Sequence, residues 1–255
     1  MPPKASHPAP QPVYKTAQFY WFLGHAAALA YSLLYTVVGY FSSSKALTYY
    51  KYALVSIIFT YLIVIKQTQG SLQRGSLLRD ENITYCSFAL VLLLNSSVTK
   101  VTVGSSLVSY CIFLVFHCVG YFQRNLLPLL PMPIAKQSQI NALLNNFTTQ
   151  FNQPALFMAA SSEMLMAASQ SVSLVLLLKT PLLFLINAVV FVAVILFLRL
   201  RYDSSPYTKA AMTEWNQRAG MLAARVGLYN VYSSIVLKVV TLSSIPFAKV
   251  KAKSK

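Results

Sequence analysis

Acidic side chains are scarce in this chain of 255 residues, in which five Asp and Glu stand against 21 Lys and Arg. Charged residues of both signs make up only 10 % of the chain, whereas soluble proteins average about a quarter. This shortage excludes an ordinary soluble domain and, with a mean hydropathy of +0.56, predicts a polytopic membrane protein. In such proteins an excess of basic residues is typical of loops that face anionic cytosolic lipid.

The sequence also lacks the patterns that carry catalysis or metal binding. It has no acid cluster, no His, Asp or Glu at metal-ligand spacing, no glycine-rich phosphate loop and no nucleophile motif. The three cysteines, Cys86, Cys111 and Cys118, lie in apolar segments and are typical of small buried side chains. The basic residues are scattered, and no nucleic-acid-binding module is recognisable. We therefore predict no enzymatic activity, no cofactor, no metal site and no nucleic-acid partner.

Long apolar runs are what the chain has instead. The clearest run is Pro181 to Leu198, 18 residues without a charge, followed by Arg199 and Arg201. About 20 residues at a rise of 1.5 Å per residue cross a hydrocarbon core of roughly 30 Å, so this run predicts a transmembrane helix. Five further apolar runs are 19–41, 46–65, 83–98, 101–122 and 155–178. The last of these is the weakest because it contains several Ser, a Gln and Glu163.

These runs predict an all-α, polytopic membrane protein with about six hydrophobic helices in three hairpins, 19–65, 83–122 and 155–198. Runs 46–65 and 155–178 have a second interpretation, in which they lie in one leaflet or enter and return. The polar stretch from Arg124 to Pro154 is a connection that could hold a short surface helix. The predicted domains are a disordered cytosolic leader (1–18), a helical membrane domain (19–202) and a cytosolic amphipathic helical tail with a basic end (203–255).

The positive-inside rule gives the orientation of this arrangement. With both termini in the cytosol, 17 of the 21 Lys and Arg are cytosolic, and the opposite side receives only Lys45, Lys51, Lys100 and Lys179. The acceptor sequons at Asn82 and Asn146 then lie on the cytosolic side, and we expect neither to carry glycan.

Glu163 is the only acid inside an apolar run, and intramembrane acids are functional candidates by default. A structural role as a hydrogen-bonding partner is the alternative for this candidate intramembrane polar site. If the protein were a transporter, His25 and His117 would be further candidates.

The tail contains two helical patterns. Apolar residues spaced three and four apart from Met212 to Tyr229 predict a helix that packs on the membrane domain. A second apolar arc predicts an amphipathic, membrane-binding helix over 228–245, ended by Pro246; its members are Leu228, Tyr232, Ile235, Val239 and Leu242. Because its polar face is rich in Ser and poor in charge, this helix is typical of insertion into curved bilayers. A seventh span or an ordinary core helix remains the other interpretation.

The final five residues place Lys251 and Lys253 at the spacing of a dilysine retrieval pattern (KxKxx), with Lys255 last. That pattern returns membrane proteins to the endoplasmic reticulum and functions on the cytosolic side. A general contact between this basic tail and anionic lipid, or binding to a nuclear import receptor, are the alternatives.

Several segments resemble one family in order and spacing. They are the run from Phe197 to Tyr207, FLRLRYDSSPY, then Lys209 and Asn216-Gln217-Arg218, the Asn95–Val103 turn, the Gln123–Leu130 segment and the apolar run after Glu163. Together they resemble the transmembrane protein 33 / pore membrane protein 33 family, although the Asp203-Ser204-Ser205 linker is shorter than in animal forms.

The resemblance implies a multi-pass protein of the endoplasmic reticulum membrane and nuclear envelope without enzymatic activity. It also implies reticulon-type membrane-shaping proteins as partners and, in yeasts, nucleoporins of the nuclear pore complex. We therefore predict a protein that shapes or organises curved membrane and scaffolds partner proteins. A polytopic transporter or lipid-handling protein that uses Glu163 is the alternative.

Overall fold

The structure, a computed structural model, describes residues 12–68, 80–176 and 180–248, with side chains through residue 238. A short 3-10 turn, Val13–Lys15, comes first. The helices are α1 (Ala17–Gly39), α2 (Ser43–Thr68), α3 (Glu81–Thr99), α4 (Ser106–Tyr121), α5 (Ile134–Leu176), α6 (Pro181–Ser204), α7 (Pro206–Arg225) and α8 (Tyr229–Ala248). No strand occurs in these residues, and the predicted all-α class is confirmed.

Five of the helices are long and apolar enough to cross a membrane, namely α1, α2, α3, α4 with its continuation to Leu129, and α6. The sixth predicted run, 155–178, differs from the prediction because it is the second half of α5, a helix of 43 residues with Pro154 inside it. The predicted short surface helix is the first half of the same helix. The polar side chains of α5 explain why it is not among the apolar spans. Its second half nevertheless packs beside α6, where Gln170 Nε2 donates to Asn187 Oδ1 at 3.0 Å.

The first predicted hairpin is confirmed, since α1 and α2 pack closely along their length. Gly24 makes this approach possible. A Cβ atom at this position would lie 2.4 Å from Cγ2 of Thr60 and 3.3 Å from the ring of Phe59. Small residues commonly allow close contact between helices in membranes.

The two helices of the second predicted hairpin run antiparallel but pack mainly on other helices, α3 on α2 and α6, and α4 on α1 and α5. They meet at Tyr85, whose ring contacts Tyr110 and Phe113. The linker at 100–105, which joins them, turns into the bundle. Lys100 and Ser105 have positive φ angles of 58° and 57°, and Val103 between them is only 4 % exposed. Ser106, which follows, lies 2.8 Å from the Tyr50 hydroxyl (Oγ to Oη).

Contacts between neighbouring helices bring the starts of α1 and α3 to the same end of the bundle as the last turns of α2, α4 and α6. Trp21 contacts His117, Tyr61 stacks on Tyr85, and Arg201 meets Glu81. We call this the Glu81 end. The opposite Lys45 end holds the linker between α1 and α2. Outer faces of the spans are apolar, as expected for lipid contact, with Leu33, Val55 and Leu185 among the exposed residues.

The tail forms two helices, α7 and α8, each of which packs on an earlier helix. The Ser205 hydroxyl accepts a hydrogen bond from the Thr208 N–H and caps α7, which packs on α5. Gly227, at φ +74°, ends this helix in the left-handed conformation that glycine favours. The helix α8 then packs on α7. It begins at Tyr229 and continues through Pro246 to Ala248, so it extends three residues beyond the predicted end at residue 245.

Candidate functional site

Glu163, the candidate from the sequence, lies on the inner face of α5 and is 1 % exposed. Its two oxygens face different helices. The Tyr85 hydroxyl of α3 donates to Glu163 Oε1 at 2.6 Å, and Arg201 Nε of α6 lies 3.7 Å from Oε2. The carboxylate therefore joins three helices through one phenol and one guanidinium group.

Arg201 is shared between two acids. Its Nη1 donates to Glu81 Oε1 at 2.7 Å, and Glu81 is half exposed at the first residue of α3. The guanidinium carbon also lies 5.0 Å from the centre of the Tyr85 ring, within cation–π range. We call Glu81, Tyr85, Glu163 and Arg201 the ionic network.

Aromatic residues surround the ionic network on the inner side. The Tyr110 hydroxyl of α4 donates to the backbone carbonyl of Tyr85 at 2.9 Å, and Tyr61 of α2 stacks on the Tyr85 ring. Phe197 packs edge-on against the same ring, with centroids 5.2 Å apart. Through these contacts the network holds five helices, α2 to α6, in fixed relation.

The chemistry of this arrangement is structural. A buried carboxylate is costly unless it is paired and hydrogen-bonded, and here Arg201 and Tyr85 supply both compensations. Within the described part of the chain, no group of three His, Cys, Asp or Glu could hold a metal ion. Among the described residues, the side chains that meet the Glu163 carboxylate are Tyr85 and Arg201.

All five acidic side chains of the chain take part in intramolecular contacts. Glu81 and Glu163 belong to the ionic network, and Asp80 Oδ1 caps α3 by accepting from the backbone N–H groups of Asn82 and Ile83. Asp203 pairs with Arg199 at 2.7 Å, and Glu214 pairs with Arg218. The acids therefore serve contacts within the fold.

The two candidate histidines, His25 and His117, lie elsewhere, between α1 and α4. His25 Nδ1 is 2.8 Å from the Trp21 carbonyl oxygen, and the His25 and His117 rings meet edge to face with centroids 5.2 Å apart. His25 is thus a hydrogen-bonded residue of a helix interface.

The predicted membrane-binding residues of the tail divide into two groups. Leu228 and Ile235 are 55 % and 56 % exposed. Tyr232 instead packs near Gly220 of α7 and donates to Asn216 Oδ1 at 2.6 Å. The side chains of Val239 and Leu242, and the whole of Lys251, Lys253 and Lys255, lie outside the described residues. Leu222 and Val226 belong to the apolar stripe that predicted packing on the membrane domain, but both are exposed, which corrects that prediction for this part of the stripe. Val231 and Leu237 are exposed apolar residues that the sequence analysis missed.

Comparison with known proteins identifies the family. A family model described as Transmembrane protein 33/Nucleoporin POM33 matches residues 4–245. The chain belongs to this family. The "Pore membrane protein of 33 kDa" of Saccharomyces cerevisiae is 25 % identical over 254 residues, covering 91 % of this chain and 85 % of that protein. "Tetra-spanning protein 1" of Schizosaccharomyces pombe is 30 % identical over 238 residues, covering 84 % and 78 %. No solved structure matches the chain.

The resemblance predicted from the sequence is therefore confirmed, and the structure gives a physical role to the segment that carried it. Within Phe197 to Tyr207, Phe197 packs on Tyr85, Arg201 completes the ionic network, and Ser205 caps α7. The family segment thus fixes the junction between the membrane bundle and the tail. Sequence reasoning placed Arg201 only at the end of the apolar run Pro181 to Leu198 and missed Tyr85 and Glu81 as its partners.

Proposed function

We propose that this protein is a non-enzymatic membrane protein of the endoplasmic reticulum and nuclear envelope that shapes or organises curved membrane and scaffolds partner proteins. The names of its relatives support the location, because one is called a pore membrane protein and another a "Pore and endoplasmic reticulum protein of 33 kDa". The latter is 32 % identical over 160 residues, which cover 59 % of this chain and 58 % of that protein.

The observation that carries the shaping role is the exposed apolar surface of the tail. After α7 has packed on α5 and α8 on α7, Leu228, Val231 and Ile235 remain more than half exposed. At 100° per residue these three side chains fall within an arc of about 60° on or beside α8. An apolar strip on a helix outside the bundle is the feature that inserts into the headgroup region of one leaflet. Added area in that leaflet favours curvature.

Both termini are cytosolic in this proposal. At the Glu81 end lie Lys66, Arg124, Arg199 and Arg201, whereas Lys45 and Lys100 lie toward the opposite end. This asymmetry supports a cytosolic Glu81 end by the positive-inside rule. In this proposal α5, which lies between α4 and α6 in the chain, adds a sixth pass to the five apolar spans, and an even number of passes keeps the two termini on one side. The name of the "Tetra-spanning protein 1" relative describes four spans, also an even number, for that protein.

The proposed partners are membrane lipids, reticulon-type shaping proteins and nucleoporins, with a nuclear import receptor for the basic end of the tail. The "Nucleoporin POM33" of Chaetomium thermophilum, 32 % identical over 147 residues, supports the pore association by its name. A transporter built on Glu163 receives no support, since that carboxylate is enclosed by Tyr85 and Arg201 and is 1 % exposed.

The proposal is tested by reconstituting the purified chain into liposomes at increasing protein density and imaging membrane shape by electron cryomicroscopy. We expect narrow tubules or small vesicles with the wild-type chain, and flatter membranes with Ile235→Asp, which places a charge in the exposed strip. Ser234→Asp adds the same charge beside it on an exposed polar position and is the matched control. Equal membrane shapes for wild type and Ile235→Asp would refute a shaping role for the tail.

A further inference from the structure

The first half of α5 has two different faces, and the proposed function uses neither of them. One face contacts α4 and its continuation. The Gln123 amide donates to Asn141 Oδ1 and Asn145 Oδ1 at 2.6 and 2.7 Å, and the Phe116 and Phe147 rings stack with centroids 5.6 Å apart. This face is therefore occupied within the chain.

The contacts with α4 place this part of α5 beside a span. They come at residues 123, 116 and 105 along the α4 side, and at 141–145, 147 and 162 along α5. The two helices are therefore antiparallel, and α4 with its continuation to Leu129 is long and apolar enough to cross the membrane. Thr149 and Gln153 lie between the second and third of these contacts, beside the uncharged first half of α4.

A strip of uncharged residues lies on the other face of α5. Its members are alternately three and four residues apart, and all are exposed: Gln139, Ala142, Asn146, Thr149 and Gln153. At about 100° per residue they fall within about 80°, and the centre of the strip is about 130° round the helix from the residues that contact α4. We call these five residues the amide strip. Their spacing is the heptad pattern by which two helices pack along their length.

The chemistry of the amide strip favours a helix over lipid as its occupant. Acyl chains form no hydrogen bonds, and polar side chains at the level of a span usually face protein or a water-filled cavity. Asn, Gln and Thr hydrogen-bond between helices in membranes, and small residues such as Ala allow close approach. Pro154, directly after the strip, adds an acceptor, because it has no N–H to donate to the carbonyl of residue 150.

Two properties favour a second copy of this chain as that helix. A side-chain amide both donates and accepts, so Asn146 or Gln153 is complementary to the same residue across a two-fold axis. In addition, residues 137–162 carry no charge, whereas two chains of net charge +16 repel each other where their basic residues meet. The amide strip is thus a surface on which two copies can approach without repulsion.

We propose that two copies of this chain pair through the amide strip, with α5 packed on α5 of the second copy. Copies in one membrane share their orientation, so the two-fold axis lies along the membrane normal and each strip residue meets its counterpart. The strip contains no residue of α8. Pairing and insertion of the tail can therefore fail independently of each other.

The first test is cysteine cross-linking of the full chain in liposomes at low protein density, with copper phenanthroline as the oxidant. The three native cysteines are replaced by Ser or Ala. Asn146→Cys should give a covalent dimer, because the two thiols meet at the axis. Asn152→Cys is the matched control, since Asn152 is also exposed on α5 but lies about 120° round the helix from Asn146, and this variant should stay monomeric. Equal cross-linking at the two positions, or none at Asn146→Cys, would overturn the proposal.

The second test changes the charge at the axis and counts chains by native mass spectrometry in mild detergent. Asn146→Lys places two like charges opposite each other and should convert the dimer into monomer, whereas Asn152→Lys should remain dimeric. Co-expression of Asn146→Lys with Asn146→Asp, under different tags, should restore a heterodimer, which a folding defect would not do. A dimeric Asn146→Lys chain would overturn the proposal, and so would a monomeric wild type, which would leave the strip to a different protein.

Discussion

The Tyr85 hydroxyl and the Glu163 carboxylate meet at 2.6 Å across the interface of α3 and α5, although 78 residues separate them in the chain. Arg201 approaches the same carboxylate from α6 at 3.7 Å. Because hydrogen bonds to charged groups and close ion pairs gain strength away from water, this contact fixes the relative position of three helices that hydrophobic packing alone would leave free to slide.

Removing one member of the ionic network should destabilise the bundle strongly. Glu163→Ala leaves the Arg201 guanidinium buried beside Tyr85 with Glu81 as its remaining acidic partner, and loss of one partner of a buried pair costs about 3–5 kcal/mol. Tyr85→Phe removes only the hydroxyl, which should cost about 1.5–3 kcal/mol as a hydrogen bond to a charged group. Unfolding of the purified chain in detergent by denaturant or heat measures both.

The matched control is Arg218→Gln, which breaks the pair with Glu214 on α7, where the two side chains are 68 % and 39 % exposed. Exposed pairs contribute about 0–1 kcal/mol, so this variant should unfold close to the wild type. The double variant Glu163→Gln, Arg201→Met removes both charges and should recover part of the loss seen with Glu163→Ala. A Glu163→Ala chain as stable as Arg218→Gln would contradict the structural role.

Gly24 gives a second test, on the close packing of α1 and α2. Gly24→Leu places a side chain against Thr60 and Phe59, where a Cβ atom alone would already lie 2.4 Å from Thr60. Overpacking of this kind typically costs about 1–3 kcal/mol. Gly39→Leu is the control near the far end of the same helix, since its Cβ would meet only Ala46 at 3.8 Å. Similar thermal unfolding of both variants would show that α1 and α2 do not need this approach.

The helical class and the first hairpin could be predicted from the sequence because long apolar runs and a short polar turn are local signals. The packing within the second hairpin could not. Its helices run antiparallel, as a short break predicts, but each packs mainly on other helices, and in the linker Lys100 and Ser105 adopt positive φ angles while Val103 is buried. Such angles in non-glycine residues depend on the packing around them and leave no clear pattern in the sequence.

The candidate site could also be predicted only in part from the sequence. Glu163 stood out because an acid in an apolar run is rare, yet its partners lie 78 and 38 residues away along the chain. Tyr85 is one of 16 tyrosines, and nothing local distinguishes it. Arg201 could have been predicted as a partner of Glu163 only by first assuming that α5 packs on α6, and then searching α6 for a cation near the buried acid.

Orientation is the third prediction, and it can be measured by cysteine labelling in sealed microsomes. In a chain whose three native cysteines are replaced by Ser or Ala, Ser204→Cys at the Glu81 end should react with a membrane-impermeant maleimide added outside. Ser42→Cys, in the linker between α1 and α2, should react only after the membrane is permeabilised. The reverse pattern, or glycan on Asn82 or Asn146, would invert the proposed topology.

The last prediction separates apolar from electrostatic binding by the tail, using flotation of the 203–255 segment with small and large neutral vesicles. Ile235 is 56 % exposed, and an exposed aliphatic side chain that becomes buried in lipid contributes about 1.5–3 kcal/mol. Ile235→Asp should therefore abolish binding to small vesicles, whereas Ser234→Asp should weaken it only slightly.

Tyr232→Phe removes the hydrogen bond to Asn216 without removing apolar area. It should therefore reduce the pairing of α7 with α8, measured by circular dichroism, more than it reduces lipid binding. Replacing Lys249, Lys251, Lys253 and Lys255 by Ser should matter on anionic vesicles, by about 1 kcal/mol per lysine, and little on neutral ones. Equal binding to both vesicle sizes would reject curvature preference, and binding that depends on the lysines but not on Ile235 would leave a purely electrostatic tail.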